Sequence, residues 1–208
     1  MLQYIVRPFL CLALSCVTAA SAYGADLVPA TDPVVGHSQE EWSKRWWQWA
    51  LSFDQESSPV ADTTGINCAK GQSGEVWFLA GTYGTRRTVR TCHVPQGKIL
   101  FFPLINYITF PSEASRESCM SLLSRAARLT EVPSALVLEV NGRRFSGLEA
   151  HRQFSKGCFP LTRDAATLAA GNGYYVALKP LPPGTHTLNF GGILPTMSQA
   201  VSYTLIVE

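Results

Sequence analysis

Three side chains of this sequence are of the types that carry out acid–base chemistry. His93 follows Cys92 at the end of an expected strand, Arg90 lies in the same strand, and Asp62 belongs to the polar loop before it. Histidine is the commonest general base, and a nearby carboxylate can orient it. His93, Asp62 and Arg90 therefore form a candidate hydrolytic site. The alternatives are a lone histidine, a solvated acidic loop and an exposed sheet edge.

Aromatic side chains are the second source of candidate binding residues. Trp42, Trp46, Trp49 and Phe53 recur at i, i+4, i+7 and i+11, which predicts one buried stripe of a helix that begins after Ser38. Trp47 lies roughly 130° from that stripe. Trp47 and Trp77 are therefore candidates for an exposed platform, because aromatic faces offer large apolar area at small entropic cost. The alternative is burial, with Trp47 packed under a loop.

No motif predicts a metal or a cofactor. Pro95-Gln96-Gly97 resembles a cupin motif, but Leu100 stands where that motif needs a histidine, and no C-x2-C or H-x-H pair occurs. Ser73 lacks the spacing and the strand-to-helix context of a nucleophile elbow. His186 alternates with apolar residues and is expected in the core, whereas His151 is expected in solvent.

The first residues predict export. Arg7 precedes a short apolar run, and Ala20-Ser21-Ala22 is a cleavage signature, so residues 1–22 are expected to be a signal peptide. Without that segment the 17 Lys and Arg fall by one against 15 Asp and Glu, a net charge of +1. The charge indicates neither a nucleic-acid partner nor an anionic membrane surface, and no apolar run is long enough to span a membrane. We expect a periplasmic or extracellular protein.

Four cysteines remain in the mature chain, namely Cys68, Cys92, Cys119 and Cys158. An even number in an oxidising compartment predicts two disulfide bonds. Three pairings are open, of which nearest-neighbour pairing would close the shortest pair of loops.

The pattern after the first helix predicts a mainly β fold. Strands are expected over 75–80, 88–94, 98–108, 136–140, 143–146, 174–178, 185–190 and 201–207, with one further helix within 112–129. Asn141-Gly142 predicts a type I′ hairpin turn, and Gly191-Gly192 is expected to connect two later strands. Many short strands favour a β-sandwich or jelly roll, and residues 23–208 are expected to form a single domain.

Several long motifs resemble an uncharacterised family of exported bacterial and archaeal proteins. They are WWQWALS, GQSGEVWFLAGT, RTCHVPQGKILFFPLIN and GYYVALKPLPPGTHTLNFGG, which together cover most of the mature chain. The resemblance implies an exported β-rich domain. It implies no activity, cofactor or catalytic residue.

Three functions are left open by the sequence. The first is a non-catalytic exported binding protein whose ligand is glycan or other cell-envelope material. The second is an exported hydrolase that uses His93 with a loop carboxylate. The third is an envelope structural or assembly protein.

Overall fold

The computed structural model describes residues 25–83, 87–112, 117–161 and 168–208, and the expected signal peptide lies outside them. The helices are α1 (Gln39–Ala50) and α2 (Cys119–Leu129), with a short 3-10 helix at Leu148–His151. The strands are β1 (Val76–Phe78), β2 (Thr88–Val94), β3 (Ile99–Thr109), β4 (Ala135–Val140), β5 (Arg143–Arg144), β6 (Arg152–Phe154), β7 (Phe159–Pro160), β8 (Leu168–Leu178), β9 (Gly184–Leu194) and β10 (Met197–Val207). The expected mainly β architecture with two helices is confirmed.

The strands form two mixed sheets. Sheet 1 has the order β1-β3-β8-β6, with β7 beside β8, and sheet 2 has the order β2-β10-β9-β4-β5. The pairs β1–β3 and β2–β10 are parallel and the others are antiparallel. The two sheets face each other across a core that includes Phe102, Val176 and Leu205.

Sheet 1 is the middle layer, because helix α1 covers its other face. Trp46 and Trp49 of α1 pack with Phe101 and Tyr175 of the sheet. Ser38 begins the helix by accepting a hydrogen bond from the Glu41 N–H, as the capping pattern predicts. Because both faces are covered, β3 and β8 are buried along nearly all their length.

Sheet 2 has one face in the core and one face in solvent. Its strands alternate accordingly, and β2 alternates strictly between buried and exposed residues. The predicted hairpin is confirmed: β4 and β5 are joined by Asn141 and Gly142, whose φ angles are 51° and 79°. No helix in the described part of the chain is long and apolar enough to cross a membrane.

Gly191 and Gly192 correct one prediction, because they lie inside β9 and not in a turn. The β9–β10 turn falls at residues 195–196. A Cβ on Gly191 would collide with the carbonyl oxygen of Gln199, and a Cβ on Gly192 would lie 2.7 Å from Ile105 Cγ2. Glycine is required at these positions because neighbouring strands approach closely, and not because the backbone turns there.

Candidate functional site

The two tryptophans predicted as a ligand platform are buried. Trp47 is 7% exposed and meets Trp46 edge to face at 5.0 Å between ring centres. Its ring also lies against the backbone of Gly171. Trp77 is 7% exposed and belongs to the core between the sheets. This corrects the expectation of an exposed platform, because neither ring face is open to a ligand.

Arg90 is buried and serves as a structural anchor. Only 1% of the residue is exposed, although the sequence suggested a solvated sheet edge. Its guanidinium group donates hydrogen bonds to the carbonyl oxygens of Val60, Asp62, Ala80 and Gly81 and to the Tyr203 hydroxyl. Arginine fits this role because its donors are arranged in a rigid fork. The group holds the loop before β1 against sheet 2.

The Asp62 carboxylate is likewise occupied by its own loop. It accepts hydrogen bonds from the backbone N–H groups of Thr64, Gly65 and Asn67. Partial burial alone would raise the pKa of Asp62, but these bonds to the charged form outweigh it and hold the pKa below its usual value. A carboxylate held in this way stabilises the loop and is a poor general base.

His93 lies on the other side of β2 from Arg90. The residue is exposed, and its Nδ1 lies 2.8 Å from Glu208 Oε1 on the solvent face of sheet 2. The side chains of residues 90 and 93 project to opposite faces because their separation along the strand is odd. His93, Asp62 and Arg90 therefore share no cleft, and the predicted hydrolytic arrangement is not assembled.

The prediction for His186 is confirmed, and the prediction for His151 is wrong. His186 is buried and satisfied, because its Nε2 bonds to the Pro182 carbonyl oxygen and its Nδ1 to the Asn141 side chain. His151 is also buried, at 9% exposure, which corrects its expected place in solvent. It ends the 3-10 helix between β5 and β6. Among the described residues its Nδ1 has no hydrogen-bond partner.

Burial of His151 predicts a specific pH dependence of stability. Burial lowers the pKa of this histidine, and a backbone hydrogen bond at Tyr175 opposes the shift. The unfolded chain therefore binds the proton more readily, and the free energy of unfolding should fall as the pH drops below about 6.5. His151→Gln should flatten this decline in urea titrations between neutral and mildly acidic pH. An equal decline in both proteins would contradict the assignment.

Both predicted disulfide bonds are present in the structure. Cys68 pairs with Cys92 and Cys119 pairs with Cys158, with Cα–Cα distances of 5.9 and 5.7 Å. The nearest-neighbour pairing is therefore the one observed. Two disulfides are consistent with an oxidising compartment.

The solvent face of sheet 2 carries a groove of about 530 Å³, which we call the outer-sheet groove. The floor of its middle part lies close to the backbone, because the paired residues there, Gly191 of β9 and Ala200 of β10, have little or no side chain. Val137 and Ile193 flank this floor, and each is 47% exposed. Exposed apolar side chains around a backbone-level floor are typical of a binding surface.

A row of hydrogen-bonded side chains, which we call the polar ladder, crosses the outer-sheet groove. The Arg87 guanidinium donates to Ser202 Oγ at 2.9 Å, and the Ser202 hydroxyl donates to Asn189 Oδ1 at 2.6 Å. Asn189 then donates to Glu139, which also accepts a bond from Arg144. The bonds among Ser202, Asn189, Glu139 and Arg144 join residues that are paired in register, whereas Arg87 lies just before β2, the strand next to β10. The sheet thus fixes five polar groups in one line.

The charges of the polar ladder are unbalanced. Glu139 neutralises Arg144 through a contact of 3.2 Å. Arg87 uses Nε and Nη2 for the Ser202 hydroxyl, and within the described residues it meets no carboxylate. This end of the groove therefore offers an exposed cation with donors available to a carboxylate ligand.

Sequence reasoning did not bring the residues of the outer-sheet groove together into one site. The signal was present as period-2 alternation, since Glu139, Asn189 and Ser202 occupy outward positions of their strands. Alternation predicts the face of each residue but not the register between strands. Only the register shows that these three side chains touch.

The fold and this groove define a disulfide-linked β-rich domain with one open sheet face. Neither a protein-family model nor a curated protein matches the chain. Among solved structures, a chain from the structure of PbICP-C in complex with falcipain-2 is similar at 10% identity and a TM-score of 0.29. The likeness covers 65% of this chain and 100% of that one, and at this score it carries no argument. Among the described residues, no three His, Cys, Asp or Glu side chains form a metal-binding group.

Proposed function

We propose that this protein is an exported, non-catalytic binding domain that holds an extended polypeptide segment of an envelope protein in its outer-sheet groove. The observation that carries the proposal is the polar ladder set across an apolar, backbone-level floor. The cleavage signature, the disulfides and the resemblance to exported proteins support the compartment. Membership in that family is part of the proposal.

The shape of the groove favours a peptide. An extended chain places alternate side chains on one face, so apolar side chains can contact Val137 and Ile193 while the backbone passes over Gly191 and Ala200. The amide and hydroxyl groups of Asn189 and Ser202 lie where the amides of such a chain would run.

The same lining argues against a glycan. Sugar recognition commonly stacks a ring on an exposed aromatic face, and the aromatic residue of this groove, Phe190, is only 2% exposed. Trp47 and Trp77 are buried and cannot replace it.

The charge of the groove predicts the composition of the peptide. Because Arg87 meets no carboxylate among the described residues, a glutamate or aspartate in the ligand would gain a charge-assisted hydrogen bond there. The preferred ligand is therefore an extended apolar segment with an acidic residue.

Calorimetric titration with designed peptides tests the proposal. The probes are peptides of alternating valine and threonine around one glutamate, with matched peptides that carry glutamine. The glutamate peptides should bind more tightly, and Arg87→Ala should weaken them about fivefold, as expected for an exposed ion pair. Ala200→Arg should abolish binding because its side chain fills the floor.

Thr185→Arg is the matched control, since it adds the same charge to the exposed face of β9 outside the groove. It should leave peptide binding unchanged. Binding that survives Ala200→Arg, absence of binding by every peptide, or binding of peptidoglycan that Ala200→Arg abolishes would each overturn the proposal.

A further inference from the structure

The floor of the outer-sheet groove is a row of residues that runs across the strands. Gly191 of β9 pairs with Ala200 of β10 on one side and with Val137 of β4 on the other. Arg87 immediately precedes β2, and the parallel register of β2 with β10 places it beside Ala200, at the edge of the sheet. All four residues line the groove. The row therefore has a cation at one end and an exposed apolar side chain at the other.

Two further rows, each two residues away along the strands, form the walls of the groove. One wall is the polar ladder, which passes through Asn189, and the other is centred on Ile193, which pairs with Ser198 and Ala135. Asn189 and Ile193 are four residues apart on β9, so the walls are separated by about 13 Å. This space admits one extended chain, whose backbone would follow the floor.

The floor is open across the strands and closed along them. On β9 and β10 the path along the strand is closed at one end by Asn189 and Ser202, whose side chains bond to each other. A chain that followed β2 from Arg87 would leave the groove at Val89, which is 59% exposed but does not line it. A peptide that keeps its contact with Arg87 and stays in the groove must therefore cross the strands.

We infer that the bound peptide crosses sheet 2 with its acidic side chain at Arg87 and an apolar side chain four residues away at Val137. This inference rests on the proposed function and adds a spacing rule to it. From Arg87 to Val137 there are three steps between neighbouring strands, from β2 through β10 and β9 to β4, or about 14 Å. An extended chain advances about 3.4 Å per residue, so four residues cover that distance. Side chains four residues apart in such a chain also point to the same face, and both can meet the sheet.

Calorimetric titration with spaced peptides tests the rule. The probes are threonine-rich peptides of equal composition that carry one glutamate and one leucine, separated by two, four or six residues and made in both chain orders. In one of the two orders, the peptide with a separation of four should bind about fivefold more tightly than those with two or six. Only that peptide places its leucine on Val137 while its glutamate meets Arg87. Val137→Thr should remove the preference, since it replaces a methyl group by a hydroxyl.

Val89→Thr is the matched control, because it makes the same replacement at an outward position of β2 that does not line the groove. It should leave the preference for a separation of four unchanged. Equal binding at all separations, or a preference that survives Val137→Thr, would overturn the inference. If Ala200→Arg still abolishes binding in that case, the proposed function stands, whereas absence of binding by every peptide would overturn both.

Discussion

Arg90→Ala should lower the free energy of unfolding by about 4 kcal/mol, as expected when a buried, fully hydrogen-bonded charged group is removed. The guanidinium group satisfies four carbonyl oxygens and one hydroxyl in a site that excludes water. Without it the carbonyl oxygens of Val60, Asp62 and Gly81 lose their donor, whereas Ala80 and the Tyr203 hydroxyl keep the bonds between them. Urea denaturation of the oxidised protein measures the loss.

Arg87→Ala is the control for this change, because Arg87 is exposed and bonds to a single hydroxyl. Its effect on stability should stay within about 0.5 kcal/mol. Arg90→Lys should recover only part of the loss, since an ammonium group cannot reproduce the planar fork. An Arg90→Ala protein within about 1 kcal/mol of the unmodified protein would contradict the anchoring role.

Arg90 also shows why a predicted catalytic candidate can be a structural residue. The inward positions of β2 are Thr88, Arg90, Cys92 and Val94, so the period-2 pattern did place Arg90 beside a core cysteine. Its charge favoured the interpretation as a solvated edge, because a buried arginine requires acceptors. Those acceptors are backbone carbonyls of a distant loop, which no side-chain pattern reveals.

The secondary structure could be predicted from the sequence more readily than the site, because it depends on local signals. Helix α1 and the β4–β5 hairpin follow from local signals, a capping serine and an Asn-Gly turn. The strand expected over 174–178 begins at Leu168, and Gly191, expected in a turn, lies within β9. Gly173 and Gly191 are required there because the neighbouring strands approach closely. A Cβ on Gly173 would lie 2.5 Å from Asn106 Cα. Such constraints are tertiary and have no local signature.

The loop over residues 54–74 is fastened to β2 at three consecutive positions. Arg90 bonds to its carbonyls, the Thr91 N–H donates to the Thr64 carbonyl oxygen, and Cys92 forms the disulfide with Cys68. The loop thereby covers the edge strand of sheet 2. Covered edges protect a sheet from pairing with another chain. These three attachments give the loop a structural role.

Replacing Cys68 and Cys92 together by alanine should lower the free energy of unfolding by about 3.5 kcal/mol, the chain-entropy value for a loop of this size. The two cysteines are 24 residues apart, and Cys92 is fully buried between the sheets. Urea denaturation under non-reducing conditions measures the change. A loss below about 1 kcal/mol would contradict the predicted contribution of this disulfide.

Combining this double replacement with Arg90→Ala tests whether the two anchors act on one element. Both tie the same loop to β2, so once the loop is released by one change, the second has less structure to lose. The combined loss should therefore be smaller than the sum of the separate losses by about 1 kcal/mol or more. The pair Cys119 and Cys158 fastens α2 elsewhere, so its replacement should add to Arg90→Ala without coupling. Full additivity in both combinations would show that Arg90 and the Cys68–Cys92 bond stabilise different parts of the fold.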